Sequence, residues 1–406
     1  MEQHRVKEPL WLLYQQSRIA SKKLLLSLIL GFGFAVSTLN LLSTLGSNPV
    51  NAAGPRYVAP APLGNDVGND CLSSASPCAT LQWAVDQAVP DEEIRVAGGI
   101  YQGVSSRMST LFTSNIVTQS VYISKPLTIR GGFTTTDWSI SDPVANPTIV
   151  DAQGLGRVFN VESVSTLERM NVTIEGLNIT GGNAAGQISC FVVDAGGGIY
   201  GCSITATLRN NYIFDNNGGE FGGGVALIGD YHHLTGNRVM SNTVMSDEFS
   251  VENAAWGGGI ALIIQSPGNA LLSNNNIRNN RAHSDGTSQV AKGGGVYILS
   301  NNKVALENNL ILANQAIGTN GAIGRGGGVF IDNGSMIATN TVFVDNEIIG
   351  AGDGSGLYLN QADANLLHST LARNNNGNGN GVAILTGTIH MTNTILVSHT
   401  IGITVS

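Results

Sequence analysis

The chain has 406 residues, 52 of them glycine, with 12% charged side chains and a formal charge of −8. It is too apolar for a disordered chain and too rich in glycine for a helical one. Its acidity excludes a nucleic-acid binder, which needs a basic face for phosphates. What remains is a β-rich chain with many tight turns, built as two or three ordinary domains or as one elongated repeat domain.

The first 23 residues carry Arg5, Lys7, Arg18, Lys22 and Lys23 against Glu2 and Glu8, and an apolar run follows at 24–45. Val50 and Ala52 are small residues placed for a cut after Ala52, so residues 1–52 read as an export signal. The run is also long enough for an uncleaved anchor, but Gly31, Gly33, Ser37, Thr38 and Asn40 interrupt it and favour cleavage. Cleavage removes five of the 20 Lys/Arg and two of the 28 Asp/Glu, leaving 15 against 26, a charge of −11. The mature protein is expected to be secreted or at the cell surface. A membrane enters only through export or through a C-terminal anchor missing from this sequence.

Residues 53–101 read as an N-terminal cap. Cys71 and Cys78 close a short loop in CLSSASPC, and further on Cys190 and Cys202 lie one strand and turn apart. In an exported chain two disulfides are the expected state. The stretch GNDVGND at 64–70 offers Asp66 and Asp70 to calcium, against the plainer reading of a turn. Leu81, Ala84, Val85 and Ala88 follow a helical spacing, which predicts a short amphipathic helix able to cover the open end of a stack. EIRVAGGIY (93–101) then reads as the first strand.

From 102 to 406 the expectation is one solenoid, irregular at first (120–133, 147–161, 172–184) and glycine-rich from about residue 195. Its units align on Gly198, Gly224, Gly259, Gly295, Gly328, Gly356 and Gly381, 25 to 36 residues apart. Each glycine is followed by an aliphatic-x-aliphatic step and, about 18 residues later, by an Asn: Asn216, Asn242, Asn280, Asn314, Asn346 and Asn374. The seventh unit puts Ser398 in that place. Two short strands per unit without helical periodicity predict a β-solenoid, in which glycines turn the coil, aliphatics fill it and asparagines stack. Asn in a turn also tolerates left-handed backbone geometry.

PCATLQWAVDQA, LTIRGGF and the phased GGGI/V units resemble right-handed parallel β-helix proteins of bacterial surfaces. The alternation of GG-x-aliphatic with aliphatic-x-x-Asn is similar to the repeat of polymorphic outer-membrane proteins, a family of surface adhesins, over roughly residues 57–406. The resemblance implies an all-β fold, a single-stranded right-handed parallel β-helix with a short N-terminal capping helix. It also implies a surface protein that binds a polysaccharide or a surface protein of a host or neighbouring cell. That family continues into a membrane anchor, whereas this sequence stops at ILVSHTIGITVS, leaving an exposed β edge.

The same fold is shared by pectate lyases and related glycosidases, and fold alone decides nothing. Paired catalytic carboxylates and an Asp-rich calcium column are not legible; Asp215, Asp345 and Arg209 stand singly in turns. His232 and His233 read as a surface pair, not a metal site. No catalytic residue is assigned. Two rows offer ligand contacts. The residues before the glycines are Phe221, Trp256, Lys292, Arg325 and Asp353, neighbours if coils stack in phase, and Trp256 with the three charged residues could hold an acidic saccharide. Tyr297, Phe330 and Tyr358 point outward by alternation and either grip sugar rings or stack on one another. Between the Asn and the next third glycine the gaps are 8, 17, 15, 14, 10 and 7 residues, so three consecutive coils carry long loops on one side. Such a side often forms the binding face. The leading expectation is a non-catalytic, adhesin-like protein binding glycan or protein along the long-loop face. One alternative is a polysaccharide lyase or hydrolase with Lys292 or Arg325 as base and Asp353 or Asp285 as helper; the other is a passive rod.

Overall fold

The computed structural model describes residues 54–405, apart from 113–114, 167, 188, 191–193 and 247–253. The N-terminal segment read as an export signal lies outside the described residues. The described chain is all-β, a right-handed parallel β-helix closed at its N-terminal end by one short helix.

Each regular coil is written by the same local chemistry. The first glycine of a triplet takes a left-handed conformation, as at Gly257 (φ +68°) and Gly293 (φ +67°), where a side chain would be strained. The third glycine leaves room for the stacked asparagine: a Cβ on Gly295 would sit 2.9 Å from the Asn314 side chain. A long strand then runs along the largest sheet, for example Val225–Thr235, Val329–Thr339 and Leu357–Leu367. A corner follows, then a three-residue strand in a second, ten-stranded sheet, for example Tyr212–Phe214 and Leu310–Leu312. Neighbouring coils pair in parallel and in register, Ile213 on Val239 and Ile311 on Phe343. One continuous core results, from Val58 and Ile94 through Leu227, Leu262 and Ile298 to Leu359 and Ile384.

The corner before each stacked asparagine takes the left-handed strain, not the asparagine itself. Asp215, Ser241, Asn279, Ala313, Asp345 and Arg373 all have φ between +51° and +57°. Each asparagine accepts from the coil before it, donates back to a carbonyl of that coil and, up to Asn346, donates forward to the next asparagine. Asn280 Oδ1 takes the Asn242 backbone N–H at 3.1 Å and its Nδ2–H at 3.0 Å, while Asn280 Nδ2 donates to Val239 O at 2.9 Å and to Asn314 Oδ1 at 2.9 Å. The ladder runs Asn216, Asn242, Asn280, Asn314, Asn346, Asn374 without a break. Its seventh place belongs to His399, whose ring nitrogens reach Asn374 O at 2.9 Å and Leu371 O at 3.1 Å. Ser398, the residue expected there, is the left-handed residue one step earlier (φ +59°). A second ladder, Asn211, Asn237, Asn275 and Asn309, stands five residues upstream in each coil.

The N-terminal coils are less regular. The first strand is Arg56–Val58, which pairs in parallel with Glu92–Ala97, so EIRVAGGIY is not the first strand. That stretch is two strands, Glu92–Ala97 and Gly99–Gln102, in different sheets. Helix α1 (Leu81–Gln87) precedes them in sequence, its N–H of Trp83 accepted by the Thr80 hydroxyl at 3.2 Å. Its buried face of Leu81, Ala84 and Val85 joins the end of the main core. Cys71–Cys78 and Cys190–Cys202 are both disulfide-bonded. Asp66 accepts from Ala79 N and the Thr80 hydroxyl, and Asp70 from Leu72 N, so both carboxylates tie the turn ahead of α1.

Candidate functional site

The three long connections are not loops on the coil. Each leaves the stacked asparagine as a strand and returns as another before the glycines. The outgoing strands Thr243–Ser246, Arg281–Asp285, Gln315–Thr319 and Glu347–Ile349 pair in a third sheet, which Asn375–Asn376 ends. The returning strands Ala254–Trp256, Val290–Lys292, Ile323–Arg325 and Ala351–Asp353 form a fourth. Val244, Ala282, Ala316 and Ile348 face Ala255 and Ala291 between the two sheets in a small apolar core of their own. Small residues there let the sheets approach closely, and the result is a two-layered fin on one side of the solenoid.

The fourth sheet carries the charged row in register. Phe221 bridges to Trp256, and Trp256 pairs with Lys292, Lys292 with Arg325 and Arg325 with Asp353. Behind it, on the largest sheet, stands the aromatic row: Tyr297 pairs with Phe330 and Phe330 with Tyr358. These rings do point away from the main core, but they are only 1%, 0% and 4% exposed, because the fin covers them. The Trp256 ring stacks on Tyr297 with centroids 5.2 Å apart, and Phe330 on Tyr358 at 4.9 Å. The aromatic row is therefore an inner seam between fin and coil, and no sugar ring can lie on it in this conformation.

The cations of the row face the same seam. Lys292 Nζ lies 5.2 Å from the Trp256 ring centroid, 5.4 Å from that of Phe330 and 3.8 Å from Asp332. Arg325 lies 5.2 Å over Tyr358. Burial raises the Tyr358 phenol above its ordinary pKa, and Arg325 partly offsets that by favouring the phenolate. Asp332 also accepts from the Tyr297 hydroxyl at 3.1 Å and from Asn360 at 2.7 Å. Asp353 accepts from Asn378 at 2.7 Å and Asn380 at 2.8 Å. Trp256, Lys292, Arg325 and Asp353 are thus brought together, half-buried and engaged with one another's surroundings. Asp285 is not brought to them: it sits on the third sheet, holding Thr319 at 2.9 Å and Asn320 at 2.6 Å.

The outer face of the fin is what faces solvent. Met245, His283, Ile317 and Ile349 form one row across four coils, with Met245 49% and Ile349 38% exposed. Beside it run Thr243, Arg281, Gln315 and Glu347, and a groove of about 270 Å³ opens between this row and the corners at Asn279, Ala313 and Asp345. The gap lengths alone suggest loops and hide this face; the two AIG steps on either side of the Asn-Gly turn in AIGTNGAIG are the signal that could have found it.

His232 and His233 are not a surface pair. His233 faces solvent, but His232 points into the core between Ala206 and Ala270, fully buried, with neither ring nitrogen hydrogen-bonded among the described residues. Desolvation pulls its pKa down to about 3, so the ring is neutral.

No protein-family model matches this sequence, and no curated protein matches it. Among solved structures it is similar to the crystal structure of pectate lyase Pel9A, at 14% identity and a TM-score of 0.38. The likeness covers 84% of this chain and 78% of that one. It assigns nothing to any residue of this chain.

Proposed function

We propose that this is an exported, non-catalytic surface β-helix protein, adhesin-like in role, and that the outer face of the fin binds a partner protein. The observation that carries the reading is the fin itself. Four successive coils extend two ordered sheets outward and present Met245, His283, Ile317 and Ile349 in one row beside Arg281, Gln315 and Glu347. Exposed aliphatics with Met and Arg suit a protein interface. A glycan is the less favoured partner on this face, since the rings that would stack on sugars are sealed beneath it. The enzyme reading places its base at Lys292 or Arg325, yet both lie over aromatic rings, and Asp332 and Asp353 are held by amide, hydroxyl and ammonium donors. The similarity of the GG-x-aliphatic repeat to the outer-membrane adhesin repeat points the same way. The passive rod has no use for Met245 and Ile349 exposed on an added layer.

The test uses the full chain, displayed or purified, against extracellular-matrix proteins, cell-surface protein extracts of candidate hosts and a panel of acidic and neutral polysaccharides. Unsaturated products and reducing ends are followed alongside binding. Saturable protein binding lost in Ile317→Asp, with no polymer cleaved, supports the reading. Polysaccharide cleavage abolished by Lys292→Ala or Arg325→Ala overturns it in favour of a lyase or hydrolase. Binding to polysaccharide alone moves the partner to the glycan class.

A further inference from the structure

A second feature lies at the opposite end of the chain from the fin's last coil, where α1 meets the first coils. A cleft of about 470 Å³ opens between α1, the strand Gly99–Gln102 and the strand Ser105–Met108. The latter is the antiparallel partner of Ile116–Ile123 and departs from the coil pattern. The volume is that of a small-molecule site, which is usually apolar with a few polar groups.

Three properties of its wall define what it would take. The floor is apolar: Leu81, Val121 and Val150 reach it from the main core, and Ile100 stands at the mouth, 58% exposed. Two aromatic side chains line it and are fixed by hydrogen bonds to backbone. Trp83 Nε1–H donates to Asn69 O at 2.8 Å, and the Tyr101 hydroxyl donates to Ala97 O at 3.0 Å. Rings held this way present a surface without losing side-chain entropy on binding. The lining carries no uncompensated charge: Asp86 and Arg107 are its ionic groups, and both Arg107 nitrogens clasp the Asp86 carboxylate, at 2.8 and 2.6 Å.

Polar capacity remains in the wall. Ser105 and Ser120 have hydroxyl oxygens shielded from solvent and without a hydrogen-bond partner among the described residues. An unmade bond of that kind costs about 1–3 kcal/mol, and rotation about the Cα–Cβ bond of either serine can turn its hydroxyl to a ligand. Gln102, exposed at the rim, donates its amide to Asp151 at 3.0 Å. An apolar floor with fixed rings, hydroxyls in need of partners and a neutralised ion pair fit a ligand with an apolar face, several hydroxyls and no charge.

We propose that this cleft binds one or two units of a neutral saccharide, independently of the fin. The full chain is titrated with cellobiose, maltose and lactose, with galacturonic acid as the charged counterpart and hexan-1-ol as the apolar one, by calorimetry and saturation-transfer NMR. At least one neutral disaccharide binds saturably. Ile100→Arg, an exposed substitution at the mouth, weakens it about tenfold or more with the melting temperature unchanged, and Ser120→Val weakens it less. Lys292→Ala, on the far layer, leaves it as it was. The proposal is overturned if no neutral sugar saturates, if galacturonic acid or hexanol binds as well as the best disaccharide, or if neither Ile100→Arg nor Ser120→Val changes the affinity.

Discussion

The regular coils and the N-terminal coils solve the same problem in different ways. Both bury polar groups in a narrow core. In the regular coils each buried asparagine finds its partner in its own copy one coil away, so a single solution is repeated. In the N-terminal coils the large buried polar groups have partners particular to each. Arg157, fully buried, donates to Ala195 O at 2.7 Å, Gln187 O at 2.8 Å and Asn160 Oδ1 at 3.1 Å, and lies 4.4 Å over the Tyr200 ring. Glu162 accepts from Ser109 at 2.7 Å and from Tyr122 at 3.0 Å. Burial and the neighbouring Glu162 charge push the Tyr122 phenol up to about 12. Repetition makes polar satisfaction a property of spacing; where spacing is lost, it must come from individual tertiary contacts.

The sharpest way to break the comparison is Arg157→Ala. It strands two backbone carbonyls and Asn160 in a site with no copy nearby, and about 3–5 kcal/mol of stability is expected to go. A loss of less than about 1 kcal/mol in urea denaturation would mean that the individual network is dispensable. Asn280→Ala, in the middle of the ladder, takes the acceptor from the Asn242 backbone N–H and from one of the two Asn242 Nδ2 hydrogen bonds, and takes the side-chain donor from Val239 O. The expected loss is about 2–3 kcal/mol. Asn374→Ala, whose coil ends the run of asparagines, is expected to cost less than Asn280→Ala. Equal losses at both positions would show that the ladder is a set of independent bonds.

His232 breaks the rule of the regular coils, since its column neighbours are Ala206 and Ala270 and its ring nitrogens have no hydrogen-bond partner among the described residues. His232→Val is therefore expected to stabilise the protein at neutral pH by about 1 kcal/mol or more. The pH dependence has a definite sign. The folded pKa is about 3 against an ordinary 6.5, so the unfolded chain binds the proton first. Stability is complete above pH 6.5 and falls as the pH drops toward 3. The urea midpoint of His232→Val is expected to fall less over that range than that of the parent. The smallest effect belongs to the exposed pair Arg373–Asp345, 2.7 Å apart. Arg373→Ala at moderate salt is expected to leave the melting temperature unchanged.

Much of the fold could be read from spacing. The parallel β-helix, the capping helix at Leu81–Gln87 and the in-register row from Trp256 to Asp353 follow from where glycines, aliphatics and asparagines recur. The Asn211 to Asn309 ladder recurs just as plainly five residues ahead of the first, but an alignment anchored on the glycines and the later Asn passes over it. The candidate site was legible only as a set of neighbours. Alternation says which side chains leave the core, and Tyr297, Phe330 and Tyr358 do leave it; it cannot say what comes to lie over them. That was decided by connections whose strands pair only with their copies in adjacent coils, and so exist only once the stack has formed. The same holds for His232, set inside by a register that places it opposite two alanines, and for the cleft at α1, whose walls come from five separate stretches of chain. A repeating sequence determines what repeats, because each coil meets the same neighbour. Whatever one coil meets only once is decided by the tertiary structure.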